Sequence, residues 1–271
     1  MVIKIPKNHF EIIVMKIAYR IIIVYLIFLL LSVHSVFAQD SNSRKEITIF
    51  MIGNSTMADK PFKDGNPEKG WGQIFPLYFK DRVKIENHAV NGRSTKSFLD
   101  EGRWAVVLNR IKPGDYVIIQ FGHNDEKKKD PNRYAEAHTN YKWNLEKFVD
   151  QTREKDGIPI LATPIVRRRF DEQGNFYGTH GDYPDVVREV AKEKNVVLLD
   201  LHKKTEELVK QYGEERSKML YLFIEPGEYK SLPEGRIDNT HLSPLGAFRV
   251  CDLAAEEIKA KIEQLSTFLK E

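Results

Sequence analysis

The stretch Ile47-Thr48-Ile49-Phe50-Met51-Ile52-Gly53-Asn54-Ser55-Thr56 runs from apolar, β-forming residues straight into a polar turn. It reads as a strand over 47–52 with Ser55 on the turn that leaves it. Further apolar β-rich runs predict strands at 83–87, 116–121, 159–162 and 196–199, and helical periodicity falls between them at 71–79, 95–111, 132–155 and 183–194. Such alternation gives a parallel sheet with helices on both faces, because every parallel connection must cross over. The end of a strand in an open α/β sheet is where reactive groups collect.

After the fifth strand a helix is predicted at 202–212. A loop-like stretch follows at 213–237, with the turn signals Pro226-Gly227-Glu228 and Pro233-Glu234-Gly235. A loop of that length is functional or disordered more often than it is a simple connection. Here it would carry Asp238 and His241 back over the serine. The last helix is expected at 245–269, with Ser243 as N-cap and Pro244 in its first position. No internal repeat, low-complexity tract or second domain is visible, and residues 39–271 suit a single domain.

Three more blocks join the serine turn: Asn91-Gly92-Arg93-Ser94-Thr95, Phe121-Gly122-His123-Asn124-Asp125 and Asp238-Asn239-Thr240-His241. Ser55 needs a base to become a nucleophile, and His241 can be that base. Asp238, three residues before it, can orient the imidazole and stabilise its protonated form. The backbone N–H groups of Ser55 and Gly92 and the side-chain amide of Asn124 can meet a developing oxyanion. A Cβ at Gly92 is expected to crowd the acyl group, and Gly122 to allow a sharp backbone turn. Taken singly, each block has a plainer reading: a helix N-cap at the serine turn, an ordinary turn at Asn124, a capping arrangement at Asp238. Their joint occurrence in this order favours a serine hydrolase.

These blocks resemble the signature of the SGNH subgroup of GDSL esterases and lipases in Ser55, Gly92, Asn124 and His241. The wording Gly92-Arg93-Ser94-Thr95 and Gln120-Phe121-Gly122-His123-Asn124-Asp125 is similar to the rhamnogalacturonan acetylesterase branch, and the resemblance runs from about Ile47 to the C-terminal helix. Asn54 departs from it, standing where the family has the Asp of Gly-Asp-Ser; that Asp is not the acid of the triad. The resemblance implies a flavodoxin-like three-layer α/β/α sandwich with a five-stranded parallel sheet in the order 2-1-3-4-5. It also implies removal of O-acetyl groups from plant cell-wall polysaccharide, pectic rhamnogalacturonan first. Acetylated xylan or a small ester is the alternative substrate, and a non-catalytic carbohydrate-binding protein on the same fold is the alternative class.

Other residues suggest substrate contacts. Arg167, Arg168 and Arg169 follow the fourth strand at the ligand-binding end of the sheet and suit an acidic polymer, although most such runs are solvated. His180 precedes a helix and is a second candidate. His88 and His123 flank the presumed site and read as structural histidines. Trp71 and Trp143 could stack on sugars, but their helical patterns favour the core. The His and Asp groupings lack the spacing of a zinc site, so no metal or other cofactor is expected.

The first 38 residues differ in kind. Lys4, Lys7, Lys16 and Arg20 precede the apolar run 21–31, and Val36-Phe37-Ala38 offers small residues at a cleavage site. This is the layout of a secretory signal, with Met15 a second candidate start. An uncleaved anchor is the alternative, but the run is shorter than the ~20 residues a span needs. The chain has 42 Lys and Arg and 39 Asp and Glu; the leader holds four basic residues and one acidic, leaving 38 of each. The remainder is formally neutral, so charge makes no case for nucleic acid. Cys251 is the sole cysteine, so no internal disulfide can form, and no cysteine follows the apolar run to take a lipid. Export without disulfides suits a bacterial periplasm or exterior, with no stable membrane association after cleavage. N-terminal sequencing of exported protein should therefore begin at Gln39, and an intact apolar leader in the membrane fraction would mean an anchored protein.

Overall fold

The computed structural model describes residues 46–270 and, within the leader, helical residues 15–17, 19–20 and 22–23; the rest of the expected signal segment and its cleavage site lie outside the described residues. The central sheet contains β1 (Ile47–Gly53), β2 (Val83–Asn87), β3 (Tyr116–Gln120), β4 (Ile158–Ala162) and β5 (Val197–Leu199). All four pairings are parallel and the order is β2-β1-β3-β4-β5, as the resemblance implied.

The strands alternate between two cores. Ile49, Met51, Ile118 and Ile160 pack with Trp71 and Phe75 and with the helices Leu201–Arg216 and Pro244–Lys261. Phe50, Ile52, Val117, Ile119 and Leu161 pack on the other face with the helices Thr95–Asp100, Arg103–Leu108, Lys142–Glu154 and Tyr183–Glu193. Successive side chains of a strand point to opposite faces, so β1 is apolar at nearly every position because both faces are covered.

Several expected helices differ in detail. The segment predicted at 71–79 is a short α-helix, Trp71–Ile74, that tightens into a 3₁₀ turn at Phe75–Tyr78 around Pro76. The one predicted at 95–111 breaks at Gly102, whose φ of 69° no α-helix accepts. Residues 132–136 are not helical; a π turn at Ala137–Tyr141 leads into the helix Lys142–Glu154. The C-terminal helix stops at Lys261 and is followed by Glu263–Ser266. Trp71 is buried as the pattern suggested, whereas Trp143 is 63% exposed.

The larger difference lies at 213–237. A 3₁₀ turn, Ser217–Leu220, leads into β6 (Tyr221–Ile224), which pairs antiparallel with β7 (Arg236–Leu242). Asp238 and His241 are therefore strand residues beside a register shift at Tyr221/Leu222, not loop residues. Polar β7 cannot hold its place by burial alone. Leu242 O accepts from Lys69 N–H at 3.0 Å, and Asn239 O accepts from Arg168 N–H at 2.8 Å. The Arg168 guanidinium donates to Asn239 Oδ1 and Ser217 Oγ at 3.0 Å each, and to Glu214 O.

Arg168 is 7% exposed, so the expected substrate contact at this residue gives way to a structural one: its cation fastens β7 and the turn before β6. Arg168→Met should destabilise the protein by about 2–3 kcal/mol, since buried hydrogen bonds to a charged group are lost and their acceptors left unpaired. Urea unfolding checks this; a loss under about 0.5 kcal/mol would mean that backbone pairing alone secures the hairpin.

Candidate active site

Asn54 builds the serine turn. Its carbonyl accepts from Met57 N–H at 3.1 Å and Ala58 N–H at 3.0 Å, and its Oδ1 accepts from the N–H and the hydroxyl of Thr56, both at 3.0 Å. Asn54 Nδ2 is buried with no partner among the described residues. Thus the acceptor role at this position suits Asn or Asp alike, and only the far side of the amide differs.

The second block is held to β1 by His88 N–H to Met51 O at 2.8 Å and Val90 N–H to Gly53 O at 3.1 Å. Gly92 has a φ of +76°, and a Cβ on it would come no nearer than 3.7 Å to Arg133 Nη1. The protein itself therefore supplies a backbone reason for glycine here: the left-handed conformation favours it. Gly122, at φ +131°, would bring a Cβ within 3.0 Å of Pro164 Cγ. Asp125 joins the second and third blocks, accepting from Thr95 N–H at 2.7 Å, Thr95 Oγ1–H at 2.6 Å and Gly122 N–H at 3.0 Å. Burial pushes its carboxyl up to about 7 against those donors. Asn124 Nδ2 donates one hydrogen to Arg93 O at 3.0 Å, which leaves its second hydrogen free. Neither Ser55 N–H nor Gly92 N–H has an acceptor among the described residues.

From β7, His241 Nε2 lies 2.9 Å from Ser55 Oγ, and His241 Nδ1 lies 2.7 Å from Asp238 Oδ2. Asp238 Oδ1 accepts from the N–H groups of Thr240 at 2.8 Å and His241 at 3.0 Å. With Nδ1–H donating to the carboxylate, Nε2 is the acceptor for the serine hydroxyl. Burial pushes the Asp238 carboxyl up, but the hydrogen bond and charge of His241 and the two backbone donors pull harder, holding it well below the usual carboxylate range.

An outer polar chain escaped the sequence reading. Arg236 Nη2 donates to Asp238 Oδ2 at 2.6 Å and Nη1 to Glu68 Oε2 at 3.0 Å; Glu68 Oε1 meets Lys60 Nζ at 2.7 Å, and Lys60 donates to Asn91 Oδ1 at 2.6 Å. Lys60 is 4% exposed; burial lowers its ammonium pKa, opposed by Glu68. The period-2 spacing of Arg236 and Asp238 would have put both on one strand face had this stretch been read as a strand. Lys60 and Glu68 lie in irregular chain and carry no such signal.

Ser55, Gly92, Asn124 and His241 line one cleft of about 500 Å3, with Arg167 in its wall. Arg167 is already engaged, donating to Thr179 Oγ1 at 3.1 Å, His123 O at 3.3 Å and the Glu126 carboxylate. Arg169 is exposed and does not line the cleft. His180 is 2% exposed, its ring nitrogens 2.9 Å from Glu126 Oε2 and 3.0 Å from Ile165 O, so both are engaged within the protein, and the residue lines a neighbouring cavity and not the Ser55 cleft. His88 pairs with Glu86 at 3.2 Å. His123 is buried with no hydrogen-bond partner among the described residues, and burial, then His180 and Arg167, holds its imidazole well below the ordinary histidine value, hence neutral. Among the described residues no group of three His, Cys, Asp or Glu side chains is placed to hold a metal ion.

The depressed Asp238 carboxyl has a pH consequence. A carboxylate whose folded pKa lies below its unfolded value of about 4 adds stability that is complete above that value and is lost as the pH falls through the folded one. Asp238→Asn should therefore melt below wild type near neutral pH, with the gap narrowing toward about pH 2–3. A gap of the same size at both extremes would contradict this.

Residues 51–247 match the GDSL-like Lipase/Acylhydrolase family. The chain is 42% identical over 216 residues to "Rhamnogalacturonan acetylesterase RhgT" of Bacillus subtilis (strain 168), covering 80% of this chain and 91% of that relative. The crystal structure of the B. subtilis protein YxiM superposes with a TM-score of 0.68 at 27% identity, over 80% of this chain and 57% of that one. A catalytic mutant of Axe2, an acetylxylan esterase from Geobacillus stearothermophilus, superposes with a TM-score of 0.55 at 17% identity over 78% and 94%, a likeness of fold alone. The family match spans most of the chain and the 42%-identical relative is covered almost end to end, so this chain belongs to the GDSL-like lipase/acylhydrolase family of ester hydrolases.

Proposed function

We propose that the protein is an exported carbohydrate O-acetylesterase that works through Ser55, His241 and Asp238 on acetylated pectic rhamnogalacturonan. The observation that carries the chemistry is the unbroken chain from Ser55 Oγ through His241 to Asp238 at the edge of a cleft. His241 Nε2 takes the serine proton as Oγ attacks the acetyl carbonyl carbon, and Asp238 stabilises the imidazolium. The oxyanion is met by the N–H groups of Ser55 and Gly92 and by the spare amide hydrogen of Asn124, none of which must break a protein contact first. His241 then returns the proton to the departing sugar oxygen. Water, activated by the same imidazole, attacks the acetyl-enzyme, releasing acetate and restoring the serine hydroxyl.

The substrate class is supported by the 42%-identical relative, named for rhamnogalacturonan, and by a cleft wall of charged and polar side chains unsuited to an acyl chain of lipid length. Export is supported by the basic and apolar leader with its Val36-Phe37-Ala38 site. The intact Ser55 to Asp238 chain argues against a protein that only binds carbohydrate.

Folded Ser55→Ala should lose hydrolysis of an aryl acetate, and Asn124→Ala should lower kcat by about 10²–10³ with a smaller change in KM, since its contact forms mainly in the transition state. Steady-state kinetics separates the roles: an effect of Asn124→Ala on KM alone would assign that residue to binding.

A further inference from the structure

The cleft over Ser55 has a neighbour. A second cavity of about 480 Å3 is lined by Tyr134, Glu136, Thr179 and Asp182 among others, and Lys127 lines both. Lys127 follows Asn124 by three residues, and its N–H donates to Asn124 O at 3.2 Å. The turn that sets the amide over the serine therefore also sets this lysine on the ridge between the cavities.

The charges around the ridge are unequally satisfied. Arg133 is paired with Asp130, and Arg167 with Glu126, which is shared with His180. Lys127 Nζ has neither a hydrogen bond nor an ion pair among the described residues. Lys127 is exposed; desolvation lowers its pKa, Arg133 and Arg167 push in the same direction, and Glu126 and Asp130 oppose them. Arg133, Arg167 and Lys127 thus line one wall of the Ser55 cleft; the two arginines are matched by their own carboxylates, so of the three Lys127 is the cation left to meet an anion. Beyond the ridge the charge is mixed: Glu126, Glu136 and Asp182 line the second cavity together with Lys128, and half-buried Tyr134 offers an aromatic surface.

We propose that Lys127 binds the carboxylate of a uronate in the Ser55 cleft, and that the sugar chain continues across the ridge into the second cavity, a subsite for a neutral sugar. The inference rests on the esterase reading above and sharpens it. A cationic subsite followed by one whose carboxylates offset its lysines selects a polymer in which acidic and neutral sugars alternate, and gives one that is acidic throughout no second cationic subsite.

The test is steady-state hydrolysis of acetylated rhamnogalacturonan oligosaccharides and of neutral acetylated xylo-oligosaccharides by wild type, Lys127→Gln and Lys127→Arg. Lys127→Gln should lower the acidic-to-neutral ratio of kcat/KM about five- to tenfold, mainly through KM on the acidic substrate. Lys127→Arg should restore most of the ratio, and about 0.5 M salt should erase the difference between wild type and Lys127→Gln. An unchanged ratio, whether from no loss or from equal loss on both substrates, overturns the proposal while leaving the esterase reading intact. Wild type that releases acetate from neither substrate would instead overturn the parent reading, and this one with it.

Discussion

The structure depends on one constraint of strand order: β1 lies hydrogen-bonded between β2 and β3. Parallel neighbours are about 4.8 Å apart, so three chain exits at one end of the sheet fall within about 10 Å. Ser55, Gly92 and Asn124 occupy those three exits. Each is then fixed by a local device: the Asn54 turn, the positive φ of Gly92, and the Asp125 carboxylate that binds Thr95 and Gly122. The apolar runs that build two cores thereby also set a polar constellation that no single run encodes.

His241 reaches this constellation by another route. The β6–β7 hairpin has little core of its own and hangs on backbone bonds from Lys69 and Arg168 and on the Arg168 guanidinium. Within it, Asp238 accepts two backbone N–H groups with one oxygen and the imidazole with the other, so a single carboxylate shapes the turn and aims His241. Arg236 binds that same second oxygen and is itself held by Glu68. The Asp238 carboxylate is thus fastened from both sides.

What could be read beforehand follows from these physical roles. β1, β3 and β4 announce themselves because strands covered on both faces are almost wholly apolar, edge strand β2 by Val83 and Ile85 alternating with Lys84 and Glu86, and the four blocks because turns at strand ends use Gly, Asn and Ser for specific backbone and side-chain reasons. β6 has four residues and β7 is polar, so neither produces a pattern, and 213–237 reads as a loop that carries Asp238 and His241. The burial of Arg168 and His180 is not legible in the sequence, because a charged or polar side chain in a loop gives no sign of burial until its partners, dozens of residues away, are known. Lys127 was missed for the complementary reason: a lysine within an acidic and basic run looks solvated, and only the fold shows that it stands between two cavities.

The central claim is that His241 activates Ser55 as the nucleophile. It is tested most directly by reacting the purified protein with a fluorophosphonate and mapping the modified peptide by mass spectrometry, with His241→Ala in parallel. The account predicts one adduct, on Ser55, formed far more slowly in the variant. Modification of a different residue, or equal labelling of Ser55 with and without His241, would contradict it.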